Sequence, residues 1–200
     1  MVGRVLYVEG GGDSKALRTR CREGFEKLLR NAGCSGRMPR IVACGGRAQA
    51  FADFQAKLRD PDATPVLLVD AEAPVEGQDP WAHVRARKGD GWTRPDAASG
   101  KHLHLMVQLM ESWLITDRSA LASFFGNGFR EGALPRGTRL EEIPKRDVTS
   151  GLGEASRNSR KGEYHKGNHS FALLGCIDVA RLSAASPWAR RFFEHMRADE

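Results

Sequence analysis

The sequence predicts an α/β protein with a mainly parallel sheet of about four strands, flanked by helices and followed by a C-terminal helical extension. Two observations favour this class. Short continuous apolar runs, typical of strands buried on both faces, alternate with stretches whose apolar residues recur every three or four positions. The connections between them are short, which favours right-handed crossovers. A chain of 200 residues is long enough for a sizeable core.

The first part of the chain follows a strand–helix–strand–helix–strand pattern. We predict strands over residues 5–8, 39–44 and 65–69, and helices over residues 13–32 and 47–59. Asp13 or Ser14 is a suitable N-cap for the first helix, because its side-chain oxygen can accept from the free N–H groups of the first turn. The first strand ends at Glu9, and Gly10 to Gly12 follow it.

The second part is less regular. Residues 78–101 are rich in Gly, Asp, Arg and Trp and show no steady period, so we predict a basic loop insertion, packed down by Trp81 and Trp92. A fourth strand is predicted over residues 102–107 and a helix over 108–125, broken near Asp117. Residues 126–150 are expected to be mostly loop, followed by helices over 168–182 and 187–197. We therefore expect an α/β core over residues 1–125, with residues 126–200 packed on it as one compact domain.

The composition is that of an ordinary globular protein with a basic surplus. The chain is 40% hydrophobic and 28% charged, and its formal net charge of +6 favours a polyanionic partner such as nucleic acid. The four cysteines form no C-x-x-C pair and no signal peptide is recognisable, so reduced thiols in a cytoplasm are expected. No apolar run approaches the roughly 20 residues of a membrane-spanning helix, so no membrane association is expected.

Acidic residues lie at the ends of two predicted strands. Glu9 follows the first strand, and Asp70 and Glu72 follow the third. Because side chains two residues apart in a strand point to the same side, Asp70 and Glu72 are expected to face one site, which Glu9 joins if the two strands are neighbours. Three carboxylates with open positions suit Mg²⁺ or Mn²⁺, which bind carboxylate and phosphate oxygens. Such a cluster fits metal-assisted phosphodiester chemistry.

These motifs resemble a known family. Val8-Glu9-Gly10-Gly11-Gly12-Asp13 and Val69-Asp70-Ala71-Glu72 are similar to the Toprim (topoisomerase-primase) superfamily, which implies a Rossmann-like Toprim fold. Three further stretches resemble the small Toprim-like family called domain of unknown function 4276: Met110-Glu111-Ser112-Trp113-Leu114, Tyr164-His165-Lys166, and Leu173-Leu174-Gly175-Cys176-Ile177-Asp178. Together the motifs span most of the chain in the expected order.

The resemblance implies a role for each matched position. Glu9 matches the Toprim glutamate that acts as general base or acid, and Asp70 and Glu72 match the metal-binding pair, although many Toprim enzymes have Asp where Glu72 stands. Glu111 is implied as a further metal ligand. Lys166 is implied to contact a phosphate or a developing negative charge. Such families resemble effector nucleases of bacterial defence that work with an ATPase partner.

We therefore expect a nuclease that acts on DNA or RNA. The residues expected to bind nucleic acid are basic: Arg85, Arg87, Lys88, Lys145, Arg146, Arg160 and Lys161. A solvated loop is the alternative interpretation of this group. Two other functions remain open. One is a nucleotidyl or phosphoryl transferase that uses the same acids, and the other is a catalytically silent binding or scaffold module.

Other sites were weighed against the same sequence. The glycines after Glu9 do not match the G-x-G-x-x-G dinucleotide motif, because Asp13 and Lys15 occupy the later places. A zinc site would need His165, His169 and Cys176, with help from His102 and His104, yet no second cysteine has ligand spacing. Glu111 can also be read simply as an acidic residue at a helix start.

Overall fold

A central sheet of four parallel strands organises the molecule. The computed structural model describes residues 3–137 and 139–198. Within them the strands lie in the order β2-β1-β3-β4 and every neighbouring pair is parallel. Their bounds are β1 (Gly3–Gly11), β2 (Arg40–Gly45), β3 (Ala63–Asp70) and β4 (Leu103–Met106). This α/β fold with C-terminal helices confirms the predicted fold class and is consistent with a Rossmann-like fold.

Nine α-helices are present in the described residues. Three lie between the strands: α1 (Lys15–Asn31), α2 (Arg47–Lys57) and α3 (Pro80–Ala86). The others follow the sheet: α4 (Met110–Leu114), α5 (Arg118–Phe125), α6 (Lys145–Ser156), α7 (Lys166–Leu174), α8 (Val179–Ala185) and α9 (Pro187–Arg197). None of these helices has the length and the apolar character that a membrane crossing requires.

The sheet is covered on both faces, which explains its continuous apolar strands. Alternate side chains of β1 enter opposite cores, so that Leu6 and Val8 contact the cluster of α1 and the C-terminal helices. Val5 and Tyr7 belong to the cluster of α2 and α3. Each fully buried large apolar side chain contributes about 1.5–3 kcal/mol to folding. The two cores therefore hold the carboxyl edge of the sheet in a fixed position.

The glycines at the end of β1 have a packing role. The strand continues beyond Glu9, and its register shifts between Gly10 and Gly11, which both pair with Gly45. A Cβ on Gly11 would lie 2.8 Å from the Cα of Arg18, so helix α1 packs directly against this backbone. Gly11 also has a φ of +88°, which strongly favours glycine. The glycine run is thus explained by the close approach of α1.

The segment over residues 78–101 is not a loop throughout, as the sequence had suggested. Helix α3 lies inside it, because Asp79 caps its first turn by accepting from the N–H of Trp81, and Pro80 supplies the fixed φ of a first helical residue. The tryptophans pack the segment down as predicted: Trp81 is buried, and the ring of Trp92 stacks on Phe51 with a centroid distance of 4.2 Å.

Two helix boundaries also differ from the prediction. Residues 126–150 were expected to be mostly loop, yet α6 begins at Lys145 and buries Val148, Leu152 and Ala155 at helical spacing; its two internal glycines weaken the helical pattern in the sequence. Residues 168–182 form two helices instead of one. Asp178 starts the second, since its side chain accepts from the N–H groups of Ala180 and Arg181. The break near Asp117 and the helix over residues 187–197 agree with the prediction.

Candidate metal centre

Three carboxylates meet at the carboxyl edge of the sheet. Glu9 lies near the end of β1, Asp70 is the last residue of β3, and Glu72 follows two residues later. Because β1 and β3 are neighbours, with Val8 paired to Leu68, the acidic ends of the two strands lie side by side. One oxygen from each carboxylate lies within 4.8 Å of the others. The structure thus brings together the three acids that the sequence had placed at strand ends.

Glu9 is held by two donors to the same oxygen. Its Oε2 accepts a hydrogen bond from Nη1 of Arg47 at 3.1 Å and another from the backbone N–H of Asp70 at 3.2 Å. Burial raises the pKa of the Glu9 carboxyl, and the Arg47 charge opposes this rise without cancelling it. These contacts orient the side chain through one oxygen, which leaves the other oxygen for a ligand.

Asp70 is the most deeply buried of the three acids, with 6% of the residue exposed. Its Oδ1 accepts from the N–H of Met110 at 2.8 Å, which ties it to the start of α4. Burial raises the pKa of Asp70 well above its usual range; the Lys166 charge lowers it, and the charges of Glu9 and Glu111 add to the rise. A bound cation would favour the ionised form of this carboxyl.

Glu72 reaches the site in a different way from the one the sequence suggested. The strand ends at Asp70, so Glu72 does not share a face with Asp70 by strand alternation. It lies in the following turn with a φ of +68°, a left-handed backbone conformation that is uncommon for residues other than glycine. Its N–H donates to the carbonyl of Gln108 at 2.7 Å, and its Oε2 is paired with Nζ of Lys145. Burial raises the pKa of Glu72, but Lys145 outweighs that effect and the net pKa is lowered.

Glu111 and Lys166 form an adjoining pair. Glu111 lies in the first turn of α4 and is 1% exposed; its Oε1 accepts from the hydroxyl of Tyr164 at 3.0 Å, whereas its Oε2 has no hydrogen-bond partner. Nζ of Lys166 lies 3.5 Å from that Oε2 and 3.9 Å from Oδ2 of Asp70. The group of three converging carboxylates does not include Glu111. Glu111 instead contacts Lys166, which connects it to Asp70.

Lys166 carries its charge against this acidic group. Burial lowers the pKa of the Lys166 ammonium, but the negative charges of Glu111 and Asp70 outweigh burial and the net pKa is raised. The side chain is nevertheless 62% exposed, so the ammonium remains accessible from solvent. A lysine that stays charged and accessible beside a buried carboxylate can contact an incoming phosphate.

Sequence reasoning missed Arg47, which is the main cationic partner of Glu9. Its Nη1 donates to Glu9 and to the carbonyl of Asp70, and its Nε and Nη2 bind both oxygens of Asp90 at 2.8 and 2.6 Å. One signal was available in the sequence. Arg47 begins the helix directly after β2, whose carboxyl end lies at the same edge of the sheet as the acids. Tyr164 belongs to the motif Tyr164-His165-Lys166, but its contact with Glu111 joins residues 53 positions apart and has no local signal in the sequence.

The predicted nucleic-acid-binding residues separate into two sets. Lys145 and Arg87 are engaged with acids: Lys145 pairs with Glu72, and Nη1 of Arg87 donates to Asp90 at 2.8 Å. The remaining five are exposed, namely Arg85, Lys88, Arg146, Arg160 and Lys161. Nζ of Lys161 lies 3.7 Å from the centroid of the Phe124 ring, which is a cation–π contact. Two of the predicted basic residues therefore pair with acids of the protein, and the other five are exposed at its surface.

The zinc alternative gains no support from the arrangement of the histidines. His104 is buried and its ring contacts Arg191, and His169 accepts from the N–H of His165 at 3.1 Å. Among residues 3–137 and 139–198, the His, Cys, Asp and Glu side chains that converge in a group of three are Glu9, Asp70 and Glu72. The donor chemistry of that group is all oxygen, which suits a hard divalent ion.

The carboxylates fit a divalent ion by their spacing. The ligands of one octahedral Mg²⁺ ion are at most about 4.2 Å apart, and the three carboxylate oxygens all lie within 4.8 Å of one another, so they are gathered on the scale of one coordination shell. Each acid also has a fixed orientation, through Arg47 for Glu9, Met110 for Asp70 and Lys145 for Glu72. Glu9, Asp70 and Glu72 therefore form a candidate metal centre.

Comparison with known proteins gives one match, to a family. Searches of curated proteins and of solved structures returned no match. The model of a family described as "Domain of unknown function (DUF4276)" matches residues 8–197. The matched range contains the three carboxylates, Arg47, Glu111 and Lys166. Because the match extends over most of its length, the chain belongs to the DUF4276 family.

Proposed function

We propose that this protein is a Toprim-like, Mg²⁺- or Mn²⁺-dependent nuclease that hydrolyses phosphodiester bonds of DNA or RNA. The observation that supports the proposal is the group of Glu9, Asp70 and Glu72, whose oxygens lie within 4.8 Å of one another at the carboxyl edge of a parallel sheet. Ligand sites of open α/β sheets occur at this edge. The accessible ammonium of Lys166 beside the group adds a contact for a phosphate.

Each side chain of the site has its own role in the proposed hydrolysis. A divalent ion held by Glu9, Asp70 and Glu72 would supply positive charge at a phosphate oxygen and lower the pKa of an attacking water. The Glu9 oxygen that lies outside the bonds to Arg47 and to the N–H of Asp70 would act either as the third metal ligand or as the base that accepts a proton from the water. Lys166 stabilises the negative charge that develops on the phosphate.

Glu111 is assigned a different role from the metal ligand that the resemblance implies. Its Oε2 contacts Lys166 at 3.5 Å, and its Oε1 is fixed by the hydroxyl of Tyr164. Glu111 is buried and forms an ion pair with Lys166. This ion pair restrains the Lys166 ammonium beside the carboxylates. We therefore propose that Glu111 positions Lys166. We also propose that the exposed basic residues contact the phosphate backbone of the substrate, namely Arg85, Lys88, Arg146, Arg160 and Lys161.

A cleavage assay tests the nuclease proposal. Labelled single- and double-stranded DNA and RNA are incubated with the protein and Mg²⁺ or Mn²⁺, with EDTA as the metal-free control. We expect cleavage that requires the ion and falls by about 10²-fold or more in Asp70→Asn and Glu9→Gln. The matched control is Asp62→Asn, an exposed acid that precedes β3 at the opposite edge of the sheet. Cleavage that is equal in all of these variants would show that the carboxylates are not the active site.

One observation favours a second candidate function, a catalytically silent binding module for a partner such as an ATPase. Arg47 pairs with Glu9, Lys145 with Glu72 and Lys166 with Asp70, so each of the three acids already has a cationic partner in the protein. In a silent module these ion pairs would persist and no ion would bind. A transferase that uses the same acids would instead bind the ion and form a labelled nucleotidyl product. Calorimetric titration with Mn²⁺ separates the silent module from both enzymes.

A further inference from the structure

A cavity of about 300 Å³ opens directly beside the carboxylates. Glu9, Asp70 and Lys166 line one side of it, and Leu17 and Phe171 contribute to the apolar side. A volume of this order is at the lower end of the range for small-molecule sites. The proposed hydrolysis uses only the polar side, so the function of the apolar side is still to be explained.

The apolar side of the cavity is formed in part by two residues of the hydrophobic core. Met110 and Phe171 line it and are only 3% and 7% exposed, so the surrounding packing fixes both side chains. Leu17 also lines the cavity and is half-buried. The rest of the wall includes glycine backbone, with Gly12 and Gly167 among the residues that keep it free of side chains.

We propose that this cavity binds the nucleobase of the nucleotide whose phosphate lies at the carboxylates, so that the substrate is single-stranded nucleic acid or a nucleotide extruded from a duplex. The inference rests on the proposed function and adds the substrate class. It assigns the apolar side chains Leu17, Met110 and Phe171 to the base, and Lys166 to the adjoining phosphate.

The cavity has charged residues and apolar residues in one lining, and this combination favours a nucleotide over other ligands. A free phosphate or sulfate would use Lys166 and the carboxylate centre, but would gain nothing from buried Met110 and Phe171. A purely apolar ligand would remove the charged groups of Asp70 and Lys166 from water and would offer them no hydrogen bond in return. A nucleotide has a planar, largely apolar base next to an anionic phosphate, and it satisfies both sides at once.

The shape of the site also distinguishes single strands from duplexes. In a duplex each base is stacked between its neighbours, so it can enter a side pocket of this kind only after it leaves the stack. Single strands present unstacked bases, and contacts of such bases with aromatic side chains supply much of their affinity. The cavity is bounded by Phe171 and by Gly10 to Gly12, and its volume of about 300 Å³ suits one small group such as a single base.

Gly167 offers a substitution that fills the cavity without backbone strain. A Cβ at this position would lie 3.4 Å from Leu17 and 3.5 Å from the ring of His165, which are ordinary contacts, and Gly167 has no left-handed φ. Gly167→Leu therefore adds apolar volume at the lining of the cavity. The control is Gly36→Leu, because Gly36 has open space around its Cβ position and precedes β2 at the amino edge of the sheet. Leu17→Ala is a second variant, which removes one apolar contact instead of adding volume.

Equilibrium binding in Mg²⁺ tests the pocket without any cleavage. Nucleoside 5′-monophosphates and ribose 5-phosphate are titrated into wild-type protein and the three variants, whose folding is checked by thermal unfolding. We expect the nucleotides to bind about tenfold or more tightly than ribose 5-phosphate. Gly167→Leu and Leu17→Ala should reduce this preference, whereas Gly36→Leu should retain it. Equal binding of nucleotide and ribose 5-phosphate by the wild-type protein would overturn the proposal.

Cleavage of matched substrates separates failure of the pocket from failure of the nuclease. We expect single-stranded oligonucleotides to be cut at least about tenfold faster than the same sequence in a duplex, and Gly167→Leu to lower that rate. Equal rates on both substrates, unchanged in Gly167→Leu, would overturn the pocket and leave the nuclease intact. Selective nucleotide binding without any cleavage would instead overturn the nuclease and support the pocket.

Discussion

Arg47 donates a hydrogen bond from Nη1 to Oε2 of Glu9 at 3.1 Å. The same guanidinium binds both oxygens of Asp90 and lies over the ring of Trp92, 4.8 Å from its centroid. The side chain of Asp90 is only 3% exposed, so this acid depends on its cationic partners. Arg47 therefore connects the carboxylate centre to the segment that follows α3, and it fixes both at once.

Replacing Arg47 by lysine should weaken both connections. Lysine keeps the charge but lacks the planar fork that binds Asp90 with two donors while a third contact reaches Glu9. We expect Arg47→Lys to lower the free energy of unfolding by about 1–3 kcal/mol, measured by urea denaturation. We also expect about a tenfold loss of metal-dependent cleavage, because Glu9 is no longer oriented.

The control for this experiment is Arg59→Lys. Arg59 is exposed and follows the same helix, so its replacement should change stability by less than about 0.5 kcal/mol. If Arg47→Lys behaves like Arg59→Lys in both measurements, the guanidinium does not have the connecting role that its contacts indicate.

In the absence of metal, the charge of Asp70 should lower the free energy of unfolding relative to a neutral residue at this position. Its buried carboxyl lies near Glu9 and Glu111, and burial together with these charges disfavours the ionised form. Asn at this position keeps an oxygen for the N–H of Met110 but carries no charge. We expect Asp70→Asn to raise the free energy of unfolding in EDTA by about 1 kcal/mol, and to remove the stabilisation that Mn²⁺ gives to the wild-type protein. A variant that is less stable in EDTA and still stabilised by Mn²⁺ would contradict this account.

His195 should make the protein sensitive to acid. Burial and the charges of Arg4 and Arg191 lower the pKa of His195 to about 4, whereas an unfolded histidine has a pKa of about 6.5. Below about pH 6.5 the unfolded chain binds a proton that the folded chain does not. Stability is therefore lost as the pH falls from about 6.5 towards 4.

The variant His195→Phe tests this linkage. Phenylalanine preserves a ring against His104, whose centroid lies 5.0 Å from that of His195, but it cannot bind a proton. We expect the loss of unfolding free energy between about pH 7 and pH 5 to be smaller in His195→Phe by about 1 kcal/mol. Denaturation curves that lose stability equally in both proteins over this range would show that His195 does not contribute.

The sheet and the main acids could be predicted because their signals are local. A continuous apolar run such as residues 65–69 fixes a buried strand, and a carboxylate directly after it has to lie at the edge of the sheet. The neighbouring positions of β1 and β3 then bring Glu9 to Asp70. In the same way, the spacing of apolar residues predicted α9 to the residue.

The remaining parts depend on contacts between distant segments. Lys145 pairs with Glu72 across 73 positions, and Arg47 meets Asp90 across 43. An exposed arginine and an arginine that orients a partly buried carboxylate cannot be told apart in a single sequence. Glu72 reaches the site through a left-handed turn instead of strand alternation. Glutamate is not a residue type that predicts a left-handed conformation, so the sequence gives no sign of this turn.

Calorimetric titration of the wild-type protein and Asp70→Asn with Mn²⁺ tests the central claim most directly, because it measures binding at Glu9, Asp70 and Glu72 without a substrate. We predict saturable binding in the wild-type protein, a loss of affinity of about tenfold or more in Asp70→Asn, and no change in the Asp62→Asn control. Absence of binding at millimolar Mn²⁺, or equal affinity in all three proteins, would contradict the metal centre.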